Sequence, residues 1–392
     1  MTHPVVSLPT ARNTPFDPPA ALAGDPLRRL RYPDGHLGWL VTEHRLARTV
    51  LADPRFSARS EFKRAPVPRP GADPFYGHPA LPGWLVDLDP PEHTRIRRRV
   101  AGAFTVRRMN ALRPRVEQIV EERLEAMATL PGPLDLVTEL ALPVPSLTIC
   151  ELLGVPYGER AAFHRNSATL FSLEASAEES AEAMTYLEDF LRDLATSPRS
   201  RGLIGALASD GTLTTDEIAG LGVLLLTAGF ETTANSIGLG VFALLCHPEQ
   251  RSRLQDDPAL AAGAVEELLR YLTIFQFGVP RTPLQDVELA SHVIKAGESV
   301  TVSLPAANRD PARFPAPDRL DITRDTTGHL AFGHGIHQCL GQNLARTELQ
   351  SVFTTLFHRF PRLTLAVPPE QVPLMTDMGF YGVRRLPVRT AR

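Results

Sequence analysis

The feature that most constrains this chain is a long stretch with almost no charge. Residues 218–246 carry one ionisable acidic or basic side chain, Glu231, and are long enough to span a bilayer. The centre of the stretch, however, reads AGFETTAN, in which most side chains are polar or very small. Basic flanking residues are also missing at its start, where TTDEI is acidic. We therefore predict a helix buried in the middle of a globular domain rather than a membrane span.

Both ends of this predicted helix carry sequence signals. Thr214 and Glu217 have the spacing of a capping box, which satisfies the unpaired amides at a helix N-terminus. The pair His247-Pro248 marks the other end. Helical patterns also dominate the neighbouring sequence, whereas residues 282–304 alternate like a small antiparallel sheet. The chain is therefore predicted to be mainly α with small β-sheets.

The composition excludes several functional classes. The 392 residues have a net charge of −3 and are 43% apolar, so no global charge bias favours nucleic acid. The cysteines Cys150, Cys246 and Cys339 are far apart and odd in number, which argues against a disulfide scaffold and fits a reducing cytoplasm. The N-terminal residues lack the apolar core of a signal peptide. We predict a soluble, cytoplasmic protein.

The stretch FGHGIHQCLG, residues 332–341, places Cys339 among glycines and histidines. An inert buried thiol is the simplest interpretation. Glycines, however, remove side chains where a flat cofactor approaches the backbone, and a helix that starts after the cysteine would favour a thiolate. The metal could be zinc, bound by His334, His337 and Cys339 in a cramped arrangement. It could also be haem iron, which needs one axial thiolate.

The centre of the long helix, AGFETTAN, contains a second candidate site. Burying the carboxyl group of Glu231 is costly unless it has a purpose. The hydroxyl group of Thr232 can bond back to a backbone carbonyl, and Ala228 and Gly229 leave room for a small ligand. The two polar residues could deliver protons, or they could form a satisfied polar cluster at a helix kink.

Two charged patterns complete the set of candidates. Glu267 and Arg270, in EELLRY, are three residues apart and can pair on one helix face, although most such pairs are solvated. In DPPEHTRIRRRV, His93 and Arg97 share a face that suits an anionic ligand. The arginines on the opposite face of this helix form a basic patch with those that follow it: Arg95, Arg99, Arg107 and Arg108. That patch could simply be a solvated surface.

Taken together, these features resemble the cytochrome P-450 family, the haem-thiolate monooxygenases, and in particular its soluble bacterial members. FGHGIHQCLG matches the signature Phe-x-x-Gly-x-x-x-Cys-x-Gly at Phe332, Gly335, Cys339 and Gly341. AGFETT matches the central-helix pattern Ala-Gly-x-Glu/Asp-Thr-Thr, and Glu267 with Arg270 match Glu-x-x-Arg. ANRDPARFPAPDRLD resembles the family's meander, which supplies a further structural arginine, expected at Arg319. The resemblance covers about residues 30–390.

The resemblance implies a triangular prism of helices with haem b between the long central helix and the cysteine loop. Cys339 is then the axial iron ligand, and His334 is a bystander. Thr232, with Glu231, is expected to supply protons during dioxygen activation, and Gly229 lies where the helix opens beside the oxygen. The residues expected to hold the two propionates are His93, Arg97, Arg281 and His337. Phe230 departs from the family, whose bacterial members often carry histidine there.

The same resemblance implies external electron donors, because the sequence lacks a flavin or nicotinamide fingerprint. Electrons would come from NAD(P)H through a separate reductase and a ferredoxin. The ferredoxin is expected to dock on a basic face formed by Arg98, Arg99, Arg107 and Arg108. We expect one monomeric domain with three parts: a strand- and loop-rich part at about 1–92, a helical part at about 93–280, and the small sheet, meander, cysteine loop and last helix at about 281–392.

By family analogy, the substrate is expected to be a bulky apolar or aromatic molecule. Predicted wall residues of its pocket are Trp84, Phe171, Leu225, Phe275, Phe277, Met378 and Phe380, with Tyr76 as a further candidate. The high content of alanine, arginine and proline is typical of actinobacterial proteins and favours natural-product tailoring over general catabolism. The resemblance implies hydroxylation or epoxidation of such a secondary metabolite. Two alternatives remain on the same fold: oxidative coupling of aromatic rings, and a haem sensor without catalysis. A zinc hydrolase is a further alternative.

Overall fold

The computed structural model describes residues 5–69, 76–198 and 200–390, and helices dominate it. Its α-helices are α1 His44–Ala52, α2 Glu92–Val100, α3 Val106–Thr129, α4 Pro143–Leu153, α5 Arg160–Phe171, α6 Ala177–Thr196, α7 Gly202–Asp210, α8 Thr215–Cys246, α9 Pro248–Asp256, α10 Ala261–Leu272, α11 Leu304–Ala307 and α12 Gln342–Arg359. The predicted mainly α architecture is confirmed.

Short strands form three small sheets in the described part of the chain. The strands are β1 Leu27–Arg31, β2 Leu37–Val41, β3 Phe56–Ser57, β4 Leu134–Asp135, β5 Val279–Pro283, β6 Val287–Leu289, β7 His292–Ile294, β8 Val300–Val302, β9 Thr364–Leu365 and β10 Pro387–Arg389. The largest sheet has the order β1-β2-β8-β5-β3. The predicted sheet over 282–304 is only partly antiparallel, because β8 pairs in parallel with β2 and antiparallel with β5. Because β2 and β8 are far apart in the sequence, the alternating pattern of residues 282–304 could not reveal that these two strands pair.

The long helix α8 forms the axis of the fold. Its first half packs in one apolar cluster with α6, for example against Leu187 and Leu191, and its second half packs in another with α12, for example against Val352 and Phe353. By length and composition α8 could cross a membrane, but 72% of its most apolar window is buried inside the protein. A helix that is apolar all round is stable in water only when other elements cover it. The prediction of a buried central helix is confirmed.

The ends of α8 match the sequence signals. The hydroxyl group of Thr214 accepts a hydrogen bond from the amide of Glu217, and the Glu217 carboxylate accepts one from the amide of Thr214. This reciprocal pair is a capping box. At the other end the helix stops at Cys246, and His247 leads directly into Pro248 of α9.

A buried ion cluster ties α10 to the coil that leads to the cysteine loop. Both side chains of the Glu267–Arg270 pair have zero exposure, so the pair is not a solvated surface contact. Arg270 Nε donates to Glu267 Oε2 at 2.7 Å, and its Nη1 donates to the carbonyl oxygens of Asn308 and Pro317. Glu267 therefore anchors the coil from two directions, through its own carboxylate and through its arginine partner.

The further arginine of this cluster is Arg324, and the expectation for Arg319 was wrong. Arg324 Nε donates to Glu267 Oε1 at 3.1 Å. Arg319 is exposed, and only its carbonyl oxygen takes part, as an acceptor from Arg324. The reason is a turn after Leu320: the amide of Asp321 donates to Glu267 Oε1, and the amide of Arg324 donates to the Asp321 carbonyl. The turn directs the later arginine onto the carboxylate.

Replacing Glu267 should therefore destabilise the protein strongly. In Glu267→Gln, the charges of Arg270 and Arg324 remain buried without an anion, a change that typically costs about 3–5 kcal/mol. Arg319→Ala is the control and should change the free energy of unfolding by no more than about 0.5 kcal/mol, since Arg319 lies on the surface. Urea unfolding of the three proteins measures both effects. Equal stabilities of Glu267→Gln and Arg319→Ala would contradict this account.

Candidate active site

An interior cavity of about 450 Å³ lies between the middle of α8 and the loop that precedes α12. Its walls also include parts of α2, β5 and the segment before α2. The volume is in the range of small-molecule binding sites. Most of the predicted functional residues converge on this one space.

Cys339 lies at the floor of this cavity. Its loop is fixed by a backbone hydrogen bond from the Cys339 amide to the carbonyl of Phe332 at 2.9 Å, and α12 begins three residues later. The side chain is accessible, but the accessible surface faces the cavity rather than the outside.

Burial within the protein raises the pKa of the Cys339 thiol, although backbone bonds from Gly341 and Gln342 and the charge of Arg97 act in the opposite direction. The helix N-terminus alone therefore does not produce a thiolate. A cation at the sulfur would, because a coordinating thiol loses its proton.

The zinc alternative is not supported by the geometry. Across residues 5–69, 76–198 and 200–390, no group of three or more histidine, cysteine, aspartate or glutamate side chains is arranged to hold a metal ion. His334 lies on the cavity wall, where burial lowers its pKa, whereas His337 turns towards His93. The three residues of the proposed zinc set line the same cavity but are not grouped as metal ligands.

The glycines of the cysteine loop have different structural roles. Gly335 has φ +75°, and a Cβ atom there would lie 2.4 Å from the carbonyl oxygen of Leu51 at the end of α1. This glycine is required by close packing of the loop on α1, and the expectation that it makes room for a cofactor was wrong for this position. Gly333 and Gly341 have no atoms within 4 Å of a hypothetical Cβ. Open space beside these two glycines is compatible with a flat group.

A cluster of imidazole and guanidinium groups forms one edge of the cavity. The ring centroids of His93 and His337 are 4.4 Å apart, and none of the four buried ring nitrogens has a hydrogen-bond partner in the described part of the chain. Burial and the charge of Arg281 lower the pKa of His337 to about 2. Burial likewise lowers the pKa of Arg281 to about 10. All these groups would be stabilised by an anion.

The donor set fits a haem group. Buried polar groups are normally hydrogen-bonded, so the unpartnered nitrogens of His93 and His337 indicate a ligand with acceptor atoms. Arg97 uses one nitrogen on the carbonyl of Gln338 at 2.6 Å, and Arg281 uses one on its neighbour Pro280 at 2.8 Å. Their other donors suit carboxylates. Two propionates would bind at this edge of the cavity, while an iron atom would bind the single thiol on the floor. We call the edge the cationic edge; it consists of His93, Arg97, Arg281 and His337.

The polar residues of α8 lie at the opposite wall. Thr232 faces the cavity, and its hydroxyl group donates to the carbonyl of Ala228 at 2.6 Å. Gly229 also faces the cavity, and a Cβ there would lie 3.2 Å from the side chain of Ile149. Glu231 is buried, and its Oε2 has no partner in the described residues. Burial raises the pKa of Glu231 to about 8, so the carboxyl group is largely protonated at neutral pH.

Most of the predicted wall residues line the cavity. These are Tyr76, Trp84, Phe171, Leu225, Phe275 and Phe380. Two predictions were wrong: Phe277 packs instead beside Leu30 and Tyr32 under the N-terminal sheet, and Met378 is buried at an isolated bridge to Ser172.

Two ion clusters were not predicted from the sequence, one at the cavity and one near the cysteine loop. Lys63 and Asp87 line the cavity as a buried ion pair. A second missed group lies near the cysteine loop, where Glu266 accepts two hydrogen bonds from Arg346, which stacks 4.6 Å from the ring centre of Phe332. Hydrogen bonds from His329 and Arg346 lower the pKa of Glu266 to about 2 despite the opposing effect of burial. Neither group forms a short sequence motif that could have revealed it.

The predicted basic face lies on α2 and α3. Arg98, Arg99, Arg107 and Arg108 are exposed. Arg99 forms a long ion pair with Asp210 at 3.7 Å, so its charge is partly compensated. Arg97, from the same helix as Arg98, turns inward to the cysteine loop instead.

Known proteins resemble this chain over nearly its whole length, in sequence and in structure. The profile of the family "Cytochrome P450" matches residues 187–389. Cytochrome P450 105C1 of a Streptomyces species is 46% identical over 391 residues, which are 98% of each chain. The structure of CYP105P1 in complex with filipin I has a TM-score of 0.90 at 41% identity and covers 99% of this chain and 100% of that one.

A third relative is the mycinamicin VIII C21 methyl hydroxylase of Micromonospora griseorubida, solved with mycinamicin VIII. Its TM-score is 0.90 at 36% identity, with 98% of this chain and 99% of that chain covered. Near-complete coverage at these identities shows a common family as well as a common fold. The family implies a haem cofactor, a small-molecule substrate and dioxygen. This chain belongs to the cytochrome P450 family of monooxygenases.

Proposed function

We propose that this chain activates dioxygen at a thiolate-bound haem and inserts one oxygen atom into a bulky apolar or aromatic secondary metabolite, by hydroxylation or epoxidation. The observation that carries the proposal is that Cys339, the cationic edge and Thr232 all face one interior cavity. The whole chain of 392 residues acts as a single domain. It works as a monomer in the cytoplasm.

Haem b would be held at two places in the cavity. Cys339 would bind the iron, and Phe332, Gly335 and Gly341 would shape the loop that presents its sulfur. The propionates would be bound by His93, Arg97, Arg281 and His337. When bound, the haem supplies the redox-active iron at which dioxygen is reduced. The surplus positive charge at the cationic edge supports this orientation.

Thr232 and Glu231 would supply protons in sequence. Neighbouring residues on a helix point about 100° apart, so the alcohol faces the cavity while the acid faces away from it. Glu231 is an effective proton source because burial raises its pKa to about 8, close to a working pH. Thr232 Oγ1 would pass the proton into the cavity, and Gly229 leaves space beside it. Water molecules would bridge the acid and the alcohol.

The cavity walls support an apolar substrate. Aromatic side chains approach it from three directions, with Trp84 before α2, Phe171 at the end of α5, and Phe380 near the C-terminus. Phe380 packs with Phe171 at a centroid distance of 4.8 Å and with Phe275 at 5.3 Å. Relatives that hold filipin I and mycinamicin VIII support a secondary metabolite as the substrate. Phe230 is buried and apolar, which keeps this part of the helix free of a further ionisable group.

Electrons would come from NAD(P)H through a separate reductase and a ferredoxin. Ferredoxins would dock on the basic face of Arg98, Arg99, Arg107 and Arg108. Part of that face belongs to α2, whose Arg97 contacts the carbonyl of Gln338 beside Cys339. The docking site would therefore lie close to the thiolate side of the haem.

Oxygen-isotope labelling tests the proposed reaction. A substrate is first identified among small apolar molecules that change the absorption spectrum of the ferric protein, and is then turned over with NAD(P)H, a reductase and a ferredoxin under ¹⁸O₂. The product should contain one labelled oxygen atom. Consumption of dioxygen without label in the product would indicate ring coupling, and binding without any product would indicate a sensor. Either result would contradict the proposal.

Removing the hydroxyl group of Thr232 should uncouple electron use from product formation. Thr232→Val keeps the shape of the side chain but removes its proton, so we expect more hydrogen peroxide and at least about tenfold less product per NAD(P)H, in line with a typical general acid. Thr227→Val is the matched control, because Thr227 lies on α8 and makes the same kind of bond, to the carbonyl of Val223 at 2.7 Å. Similar peroxide yields from both variants would show that protons arrive by another route.

A further inference from the structure

The ion pair of Lys63 and Asp87 is an unusual feature of the cavity. The sequence contains only two lysines, Lys63 and Lys295, among 41 basic residues. Lys63 and Asp87 pair through Nζ and Oδ1, and their side chains are only 8% and 10% exposed. Both line the cavity. Lys295 forms the other lysine–aspartate pair, with Asp286 at 2.7 Å, and there the side chains are 64% and 52% exposed.

Burial makes the charge of Lys63 costly. Desolvation lowers the pKa of Lys63, and the nearby charge of Arg281 lowers it further, whereas Asp87 and Asp89 oppose these effects. Asp89 is already engaged, because it accepts hydrogen bonds from the hydroxyl group of Ser57 and the amide of Ala58. Asp87 is therefore the direct partner of the ammonium group, and the pair as a whole carries no net charge.

Lys63 lies at the cationic edge of the cavity rather than apart from it. Its charge acts on His337 together with those of Arg281 and Arg97. Three fixed cations, Lys63, Arg97 and Arg281, thus face the two carboxylates Asp87 and Asp89 and two imidazoles without partners. An ammonium group has three donors, and Asp87 accepts from one of them. Among residues 5–69, 76–198 and 200–390, this cluster has more cations than carboxylates and more donors than acceptors.

We propose that Lys63 is a further binding residue for a carboxylate of the cofactor, and that Asp87 is a positioning residue that keeps the ammonium group charged and directed along the cavity wall. This inference rests on the proposed function, since it takes haem as the ligand. A carboxylate beside Lys63 would accept one of its remaining donors. It would also supply the negative charge that the cluster lacks.

The arrangement explains why a lysine occupies so buried a position. A buried ion pair is often no more stabilising than two apolar residues of similar size, so the pair adds little to the fold by itself. A charged hydrogen bond to a ligand is stronger than a neutral one. Through its pair with Asp87, which lies next to Trp84 on the cavity wall, Lys63 would also link residues 84–87 to the cofactor.

The rate at which bound haem is lost tests the proposal without using activity. Wild type, Lys63→Met, Lys63→Arg and Lys295→Met are reconstituted with hemin, and its transfer to excess apomyoglobin is followed by absorbance. Lys63→Met should release hemin roughly ten- to a hundredfold faster, the factor that corresponds to a hydrogen bond with a charged group. Lys63→Arg should restore most of the retention. Lys295→Met should behave like wild type, because that lysine is on the surface.

Hemin dimethyl ester separates carboxylate binding from a structural effect. The ester lacks both negative charges, so Lys63→Met should not accelerate its loss relative to wild type. If Lys63→Met accelerates the loss of hemin and of the ester equally, or does not affect hemin, the proposal is wrong.

Lys63→Met leaves the Asp87 carboxylate buried without its cation. A second comparison therefore uses Asp87→Asn and the double variant Lys63→Met/Asp87→Asn, neither of which has an aspartate at position 87. Because Asp87 acts through Lys63, Asp87→Asn should itself lose hemin faster than wild type, and the double variant should lose it at about the rate of Lys63→Met. Additive effects of the two substitutions would refute the positioning role of Asp87.

Failure of this inference is distinguishable from failure of the proposed function. If wild-type protein binds hemin with Cys339 as ligand and Lys63→Met retains it equally well, only the role of Lys63 is refuted. If wild-type protein does not bind hemin at all, the proposed function fails first and the role of Lys63 fails with it.

Discussion

The structure depends on the burial of one long, almost uncharged helix. Water makes an apolar helix of 32 residues unfavourable unless every side is covered, and α6, α4 and α12 provide that cover. In the middle of α8 the cover is incomplete around Thr232, where the helix faces an interior cavity. The loop of Cys339 precedes α12 and lies across this cavity. The need to bury α8 thus also brings the thiol and the alcohol to opposite sides of one space.

Buried polar groups without partners identify the ligand of that space. A folded chain normally satisfies such groups, yet the ring nitrogens of His93 and His337 lack partners in the described residues. The cations around them would repel one another without an anion. The same reasoning applies to Cys339, whose thiol is kept neutral by burial despite the amides at the start of α12. An anionic group that also carries a metal cation resolves both problems. The unpartnered imidazoles therefore indicate where the anionic part of the ligand would lie, and the thiol indicates where its metal cation would lie.

Sequence reasoning succeeded where chemistry was encoded locally and failed where it depended on distant contacts. The ends of α8 and the Glu267–Arg270 pair follow from spacing within one helix, and the structure contains both. The choice between Arg319 and Arg324 depended on a turn that no propensity reveals. Gly335 was assigned to cofactor access because its partner, the carbonyl of Leu51, is almost 300 residues away. The pair of Lys63 and Asp87 could not be predicted for the same reason. Phe277 and Met378 were also misplaced by distant contacts, with the cluster of Leu30 and with Ser172 respectively.

The central claim is that Cys339 binds haem iron through a thiolate, and the absorption spectrum of the reduced, carbon monoxide-bound protein tests it most directly. A thiolate ligand shifts the Soret band strongly to longer wavelength, and wild-type protein should show this band. Cys339→Ala should lose it, whereas Cys150→Ala should keep it, because that cysteine lies in the apolar core and not at the cavity. An unshifted Soret band in wild-type protein, or the same spectrum from Cys339→Ala, would contradict the account.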